Sequence, residues 1–236
     1  VSGLFSFGDA GWGDELVRGA ALTLVLTLCG FSLGLVVGTA GAAAKLSDSR
    51  ALRALAEVYT TVVRGVPELL VIYLFFFGSS GVIIWVASMF GHTGYIGLDA
   101  FTIGVLALAV ISGAYSTEVI RGAMLAVPKG QIEAARAIGM TRAKVFRRVL
   151  VPQAARLALP GLGNVWQLTL KDSALVSVTA LAELMRNASV AARSTGEPFT
   201  FYVAAGVLYL VLTTGSTVAF ELAERRARRG VARATA

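Results

Sequence analysis

The chain has 236 residues, 56% of them hydrophobic and only 15% charged, with a mean hydropathy of +0.73. A composition so apolar excludes an ordinary soluble domain and points to an integral membrane protein. The formal charge of +7 comes from bases that flank hydrophobic runs, so it fits membrane orientation and gives nucleic acid no role as a partner.

Residues 1–18 hold Asp9, Asp14 and Glu15 against one base, Arg18, the wrong polarity for the start of a secretory signal. The first span covers 19–44, 26 residues without a charge. At 1.5 Å per residue it reaches roughly 39 Å, enough to cross a hydrocarbon core of about 30 Å with tilt. Gly30, Gly34 and Gly38 recur every four residues within it and form one small face for close helix packing. Cys29, the single cysteine, offers neither a disulfide framework nor metal-ligand spacing and reads as a buried inert thiol.

A polar loop at 45–53 leads to a second span at 54–77, which contains Arg64-Gly65-Val66-Pro67-Glu68. Charges and helix breakers at that depth are tolerated where they face protein or a water-filled cavity. Arg64 and Glu68, four residues apart, either pair along the helix or mark a pathway. Residues 78–99 read as a mixed loop whose apolar stretch, 82–90, is too short to span. Trp85 and Tyr95, like Trp12, suit the headgroup zone, and His92 reads as a solvated loop residue.

The third span covers 100–120, with Glu118 and Arg121 at its exit. The longest polar passage follows at 131–152, QIEAARAIGMTRAKVFRRVLVP. Residues 131–138 read as a short helix ended by Gly139, and Thr141 starts a second helix that Pro152 closes. That second helix puts Val145, Phe146, Val149 and Leu150 on one side, with Arg142, Lys144, Arg147 and Arg148 largely on the other. Such a basic amphipathic pair belongs at the cytoplasmic surface. The fourth span, 157–182, is interrupted by Pro160, Gly161 and Gly163 and by Lys171-Asp172. Adjacent helical residues point about 100° apart, so these two charges need separate partners, a water-filled path or a break in the helix. A polar loop at 183–198, a fifth span at 199–220 and a tail with five arginines complete the chain.

Residues 45–53, 121–156 and the tail together hold 16 of the 21 lysines and arginines. Placing them on the cytoplasmic side gives an outside N-terminus, five spans and an inside C-terminus. The expectation is an all-α integral membrane fold in a single domain covering 1–236.

Glu133-Ala134-Ala135, three residues, Gly139, nine residues, Val149, Leu150, Val151 and Pro152 resemble the EAA loop of ABC importer permeases. Valines stand at the two positions where that pattern has Ile and Leu. RGVPELL, GAYSTEVIRGAMLAVPKGQIEAARAIG and LPGLGNVWQLTLKDSALVS resemble the polar amino acid subfamily in the same order, over about residues 16–226. The resemblance is closest to permeases for histidine, lysine, arginine and ornithine, or for opines such as octopine and nopaline.

The resemblance implies a permease that forms half of a path in a bacterial inner membrane, with a coupling-helix loop at 128–152 between spans three and four. Its partners would be a periplasmic amino-acid-binding protein, a second, related permease chain and two ABC ATPase subunits, within membrane lipid. Glu133, Ala134, Ala135, Gly139 and Pro152 would seat on an ATPase subunit. No G-x-x-x-x-G-K-[ST] phosphate loop occurs, so ATP and magnesium would be bound by that subunit, leaving this chain without a cofactor, metal site or catalytic residue. Arg64, Glu68, Glu118, Gln167 and Asp172 are candidates for the substrate path. An acid at Glu68 suits a guanidinium or ammonium group, and Arg64 suits a carboxylate. A secondary carrier fits less well because no internal repeat is visible. A simple membrane anchor leaves the intramembrane charges unexplained.

Overall fold

A computed structural model of the protein describes residues 3–8, 11–89 and 97–227. These residues form helices α1 (Gly13–Lys45), α2 (Arg50–Gly65), α3 (Glu68–Met89), α4 (Ala100–Leu125), α5 (Lys129–Ala137), α6 (Arg142–Val145), α7 (Val151–Asp172), α8 (Leu184–Thr195) and α9 (Pro198–Ala227). No strand occurs among the described residues, as expected of a chain whose backbone must be satisfied within each segment in lipid. Three helices, α1, α4 and α9, are long and apolar enough to cross a membrane, and a fourth crossing arises if α2 and the first part of α3 count as one broken span. His92 and Tyr95 lie outside the described residues.

The centre of the fold is the contact of α1 with α4. A Cβ added at Gly30 would lie 2.8 Å from Leu108 Cβ, at Gly34 2.0 Å from Ser112 Oγ, and at Gly38 2.5 Å from Ser116 Cβ. The glycine face is therefore a packing surface, as its spacing indicates, and α4 lies directly against the α1 backbone. Leu26, Val71, Ile72, Ala107, Leu108, Ile111 and Val176 form one buried cluster beside this seam. Leu16, Leu184, Ala188, Ala191, Ala192, Phe201 and Ala205 form another, where α8 closes over the starts of α1 and α9. Trp12 packs there edge-on against Phe201, at 6.5 Å between rings, instead of serving only as a headgroup anchor. Cys29 is half-buried, more open than an inert core thiol.

Several boundaries differ from those read in the sequence, each for a local reason. Asp14 and Glu15 sit in the first turn of α1, where negative charge is favoured, so that helix starts at Gly13 and not at 19. Ser49 caps α2 by accepting from Leu52 N, which moves its start ahead of residue 54. The expected span 54–77 is broken at Val66-Pro67, and the chain turns by 107° between α2 and α3. Proline lacks the donor an uninterrupted helix needs and pushes the residue before it into extended geometry, here ψ 140° at Val66. The expected loop at 78–99 is helical as far as Met89. Asp99 then caps α4, and bonds from the Thr102 hydroxyl (2.6 Å) and Thr102 N (3.1 Å) hold its carboxyl below the usual range.

The polar loop expected at 183–198 is largely helix α8. Glu183 caps it through Met185 N and Arg186 N, and left-handed Gly196 (φ +74°) ends it. Its buried stripe of Leu184, Ala188, Ala191 and Ala192 is built mostly of alanine, so it carries little hydropathy signal. The outer ends of α4 and α9 extend past the expected 120 and 220, to Leu125 and Ala227.

Candidate functional site

Two polar clusters and one basic loop contain all of the candidate residues except Gln167. The first cluster lies at the α2–α3 break. Proline geometry ends α2 one residue after Arg64 and starts α3 at Glu68, so the two charges leave the helix surface in different directions. Both meet Tyr115 of α4. The Arg64 guanidinium lies 5.4 Å from the Tyr115 ring centroid, and the Tyr115 hydroxyl donates to Glu68 Oε1 at 3.0 Å. Asp172, at the last residue of α7, lies within electrostatic reach of Glu68, Tyr115 and Lys171. Arg64 is exposed, while Glu68 and Asp172 are half-buried.

The Lys171-Asp172 pair sits where α7 gives way to a 3₁₀ segment, Ser173–Thr179, so a break in the helix accommodates it. That segment ends at left-handed Ala180 (φ 65°), so within the expected span 157–182 the α-helix stops at Asp172. A guanidinium from the end of α2 and a carboxylate from the start of α3 thus meet at one tyrosine, with the Asp172 carboxylate at the end of α7 within electrostatic reach. The arrangement offers a guanidinium beside two carboxylates, complementary to a zwitterion with an additional cationic group.

The other two path candidates lie elsewhere. Gln167 donates to Thr213 O (3.1 Å) and Thr217 Oγ1 (2.9 Å), bracing α7 against α9. Glu118 belongs to the second cluster, an ion-pair network joining the end of α1 to α2 and α4. Its Oε1 accepts from Lys45 Nζ, and its Oε2 from Arg121 Nε (3.1 Å) and Nη2 (2.9 Å). Lys45 Nζ also lies 2.7 Å from Glu57 Oε2. Sequence reasoning took Lys45 as an orienting loop charge and did not single out Tyr115. A tyrosine in the middle of an apolar helix, within GAYSTE, was the available signal.

In the loop, α5 ends at Ala137 and Gly139 takes φ +83°, the left-handed geometry expected of it. Gly139 N bonds Arg136 O at 2.9 Å, and Met140 N bonds Ala135 O at 3.1 Å. Glu133, Ala134 and Gly139 are exposed, whereas Ala135 turns inward at 6% exposure. Ile138 was not singled out, yet it is 80% exposed beside them. Thr141 occupies the cap position of α6 without a side-chain cap bond.

Pro152 does not close the second helix. A π-helical turn, Phe146–Leu150, carries the chain straight into α7, where Pro152 sits in the first turn. Val151 N reaches back to Phe146 O, and this widened turn accommodates a proline that has no N–H to give.

Residues 30–229 match the family described as binding-protein-dependent transport system inner membrane component. The octopine transport system permease protein OccQ of Rhizobium radiobacter is 56% identical over 232 residues, covering 98% of each chain. The histidine/lysine/arginine/ornithine transport system permease protein HisQ of Escherichia coli (strain K12) is 44% identical over 224 residues, covering 95% of this chain and 98% of that one. Among solved structures, an amino acid ABC transporter crystallised with histidines has a chain that superposes with a TM-score of 0.78 at 36% identity, covering 91% of this chain and 95% of that one. With a family match over most of its length and relatives this similar end to end, the chain belongs to the family of inner membrane components of binding-protein-dependent transport systems.

Proposed function

We propose that the chain is the permease subunit of an ATP-driven, binding-protein-dependent importer for cationic amino acids such as arginine, lysine, histidine and ornithine, or for opines. The observation that carries this reading is the meeting of Arg64 and Glu68 at Tyr115 at a break in the helices, with Asp172 within electrostatic reach. Relatives named for octopine and for histidine, lysine, arginine and ornithine agree with it. In this reading Arg64 receives the substrate carboxylate while Glu68 and Asp172 attract its cationic groups. Partial burial of Glu68 and Asp172 strengthens their charge-assisted contacts relative to open water.

The chain forms half of the path, and a related permease forms the other half. Its five crossings are α1, the broken α2–α3 unit, α4, α7 with its 3₁₀ extension, and α9. The N-terminus is periplasmic and the C-terminus cytoplasmic. A periplasmic binding protein delivers the substrate, and two ATPase subunits bind ATP and magnesium. Glu133, Ala134, Gly139, Ile138 and Pro152 form the surface that seats on one of them.

The reading is tested by uptake in proteoliposomes containing the whole transporter. ATP supplied on the ATPase side should drive arginine uptake, and dissipating the proton gradient should leave it unchanged. Glu68→Gln should raise the KM for arginine by roughly ten-fold, the worth of about one charge-assisted hydrogen bond of 1.5 kcal/mol. Unchanged kinetics for Glu68→Gln would remove that residue from the path.

A further inference from the structure

We propose that Lys45, Glu57 and Glu118 are positioning residues for transport: their ion-pair network latches α2 to the α1–α4 pair and thereby holds Arg64 over Tyr115. The proposal rests on the permease reading above. Lys45 has only 6% of its side chain exposed and holds Glu57 of α2 and Glu118 of α4 at once. Arg121 occupies the second oxygen of Glu118, so this carboxylate faces a base on each side. Glu57 closes the network from the solvent side with 68% of its side chain exposed.

Besides the network, α2 is held by modest packing, with Val63 partly buried against the core cluster. Only Ala56 and Thr60 are buried within it, and Tyr59 donates one hydrogen bond to Val110 O at 2.7 Å. Leu52, Leu55, Val58 and Val62 lie exposed. At its far end α2 runs into the 107° bend at Val66-Pro67, which serves as a pivot.

The spacing makes the latch more than a local tie. Glu57 and Arg64 are seven residues apart, close to two turns, so they lie on one face of α2. Tyr115 and Glu118 are three apart and share one face of α4. Helices α2 and α4 therefore meet at two rungs. One is Glu57–Lys45–Glu118, and the other is Arg64 stacked on Tyr115. With the first rung cut, α2 is free to swing about Val66-Pro67 and the second rung loses its alignment. Because Tyr115 also holds Glu68, the loss reaches a carboxylate of the proposed path.

The test uses the complete transporter, in lipid nanodiscs for distances and in proteoliposomes for arginine uptake, with Cys29→Ser and spin labels at Leu55→Cys and Leu125→Cys. Lys45→Met should broaden or displace the α2–α4 distance distribution and raise the arginine KM at least three-fold with kcat changed less. Lys45→Arg should restore both. Glu57→Gln, which leaves the Lys45–Glu118 pair intact, should give the same effects in milder form and guards against misfolding of the lysine variant. An unaltered distance distribution in both Lys45→Met and Glu57→Gln overturns the latch. A shifted distribution with unchanged KM also overturns it, since α2 would then be held for structure alone. If the parent transporter moves neither cationic amino acids nor octopine, the functional reading fails, while the distance comparison still decides whether the latch exists.

Discussion

At the scale of single residues, the α1–α4 seam has the least tolerance. Gly34 faces Ser112 so closely that an added methyl would meet its Oγ at 2.0 Å and Gly113 N at 3.1 Å. Ser112 itself donates to Leu108 O at 2.7 Å, so its hydroxyl is held where the methyl would go. Gly34→Ala should therefore destabilise the permease by about 1–3 kcal/mol, the usual cost of overpacking a tight contact. Ser112→Ala removes the nearest atom but leaves Cβ at 3.1 Å. The double variant should thus recover only part of the loss, with a favourable coupling that marks the two sites as contacting. Thermal unfolding in detergent, followed by retained monodispersity, reads all three variants. Strict additivity would mean that the helices separate locally and the seam is softer than its geometry indicates. The glycine period made this seam legible in the sequence, because a four-residue repeat puts small residues on one face without knowledge of the partner. The partner residues on α4 were not legible, since Ser112 and Ser116 look like ordinary polar interruptions of an apolar run.

At the scale of elements, the α5–α6 corner combines a required backbone shape with an open surface. Gly139 stands at φ +83° with nothing within 4 Å of an added Cβ. A side chain there costs about 1 kcal/mol of backbone strain and no packing. Gly139→Trp should leave the chain inserted and folded while abolishing substrate-stimulated ATP hydrolysis by the reconstituted complex, because the indole projects into the docking surface. Glu133→Lys, with its exposed side chain on the same corner, should do the same. Normal stimulation in both variants would show that the corner does not couple. The elements also show where sequence reading stops. Strong periodic runs located α1, α4 and α9, but whether a proline ends, kinks or merely decorates a helix depends on its neighbours, so the expected span 54–77 runs unbroken through Pro67. Pro67 breaks the chain by 107°, whereas Pro152 passes inside the first turn of α7 because a π turn makes room. Helix α8 escaped notice for a different reason. Its inner stripe is alanine, and Glu183, which caps it, is fully buried against Thr23 and Tyr209 contributed from other parts of the chain. The meeting of Arg64 and Glu68 required the bend, and Tyr115 entered only once α4 was placed.

At the scale of the whole molecule, the open question is how α7 crosses. It is less apolar than α1, α4 or α9, and it carries Arg156, Asn164, Gln167, Lys171 and Asp172. Such a helix crosses a membrane when its polar groups face protein or water and not lipid. Part of the helix meets those conditions. Val165 and Trp166 are buried with Phe31, Gln167 is satisfied by α9, and Asp172 is half-buried within electrostatic reach of Tyr115, while Arg156, Asn164 and Lys171 are exposed on the single chain. If α7 crosses, α6 and α8 lie on opposite sides of the membrane, with the base-rich α5–α6 corner inside and α8 outside. Ala143 and Ser194 are exposed positions on those two helices. In a Cys29→Ser background, Ser194→Cys should react with a membrane-impermeant maleimide in cells whose outer membrane alone has been opened. Ala143→Cys should react only after the inner membrane is also permeabilised. Labelling of both from the periplasm, or of neither, would place α6 and α8 on one side and make α7 a surface helix. In that case the charges at its end could not line a path through the membrane, and the five-crossing arrangement would fall with them.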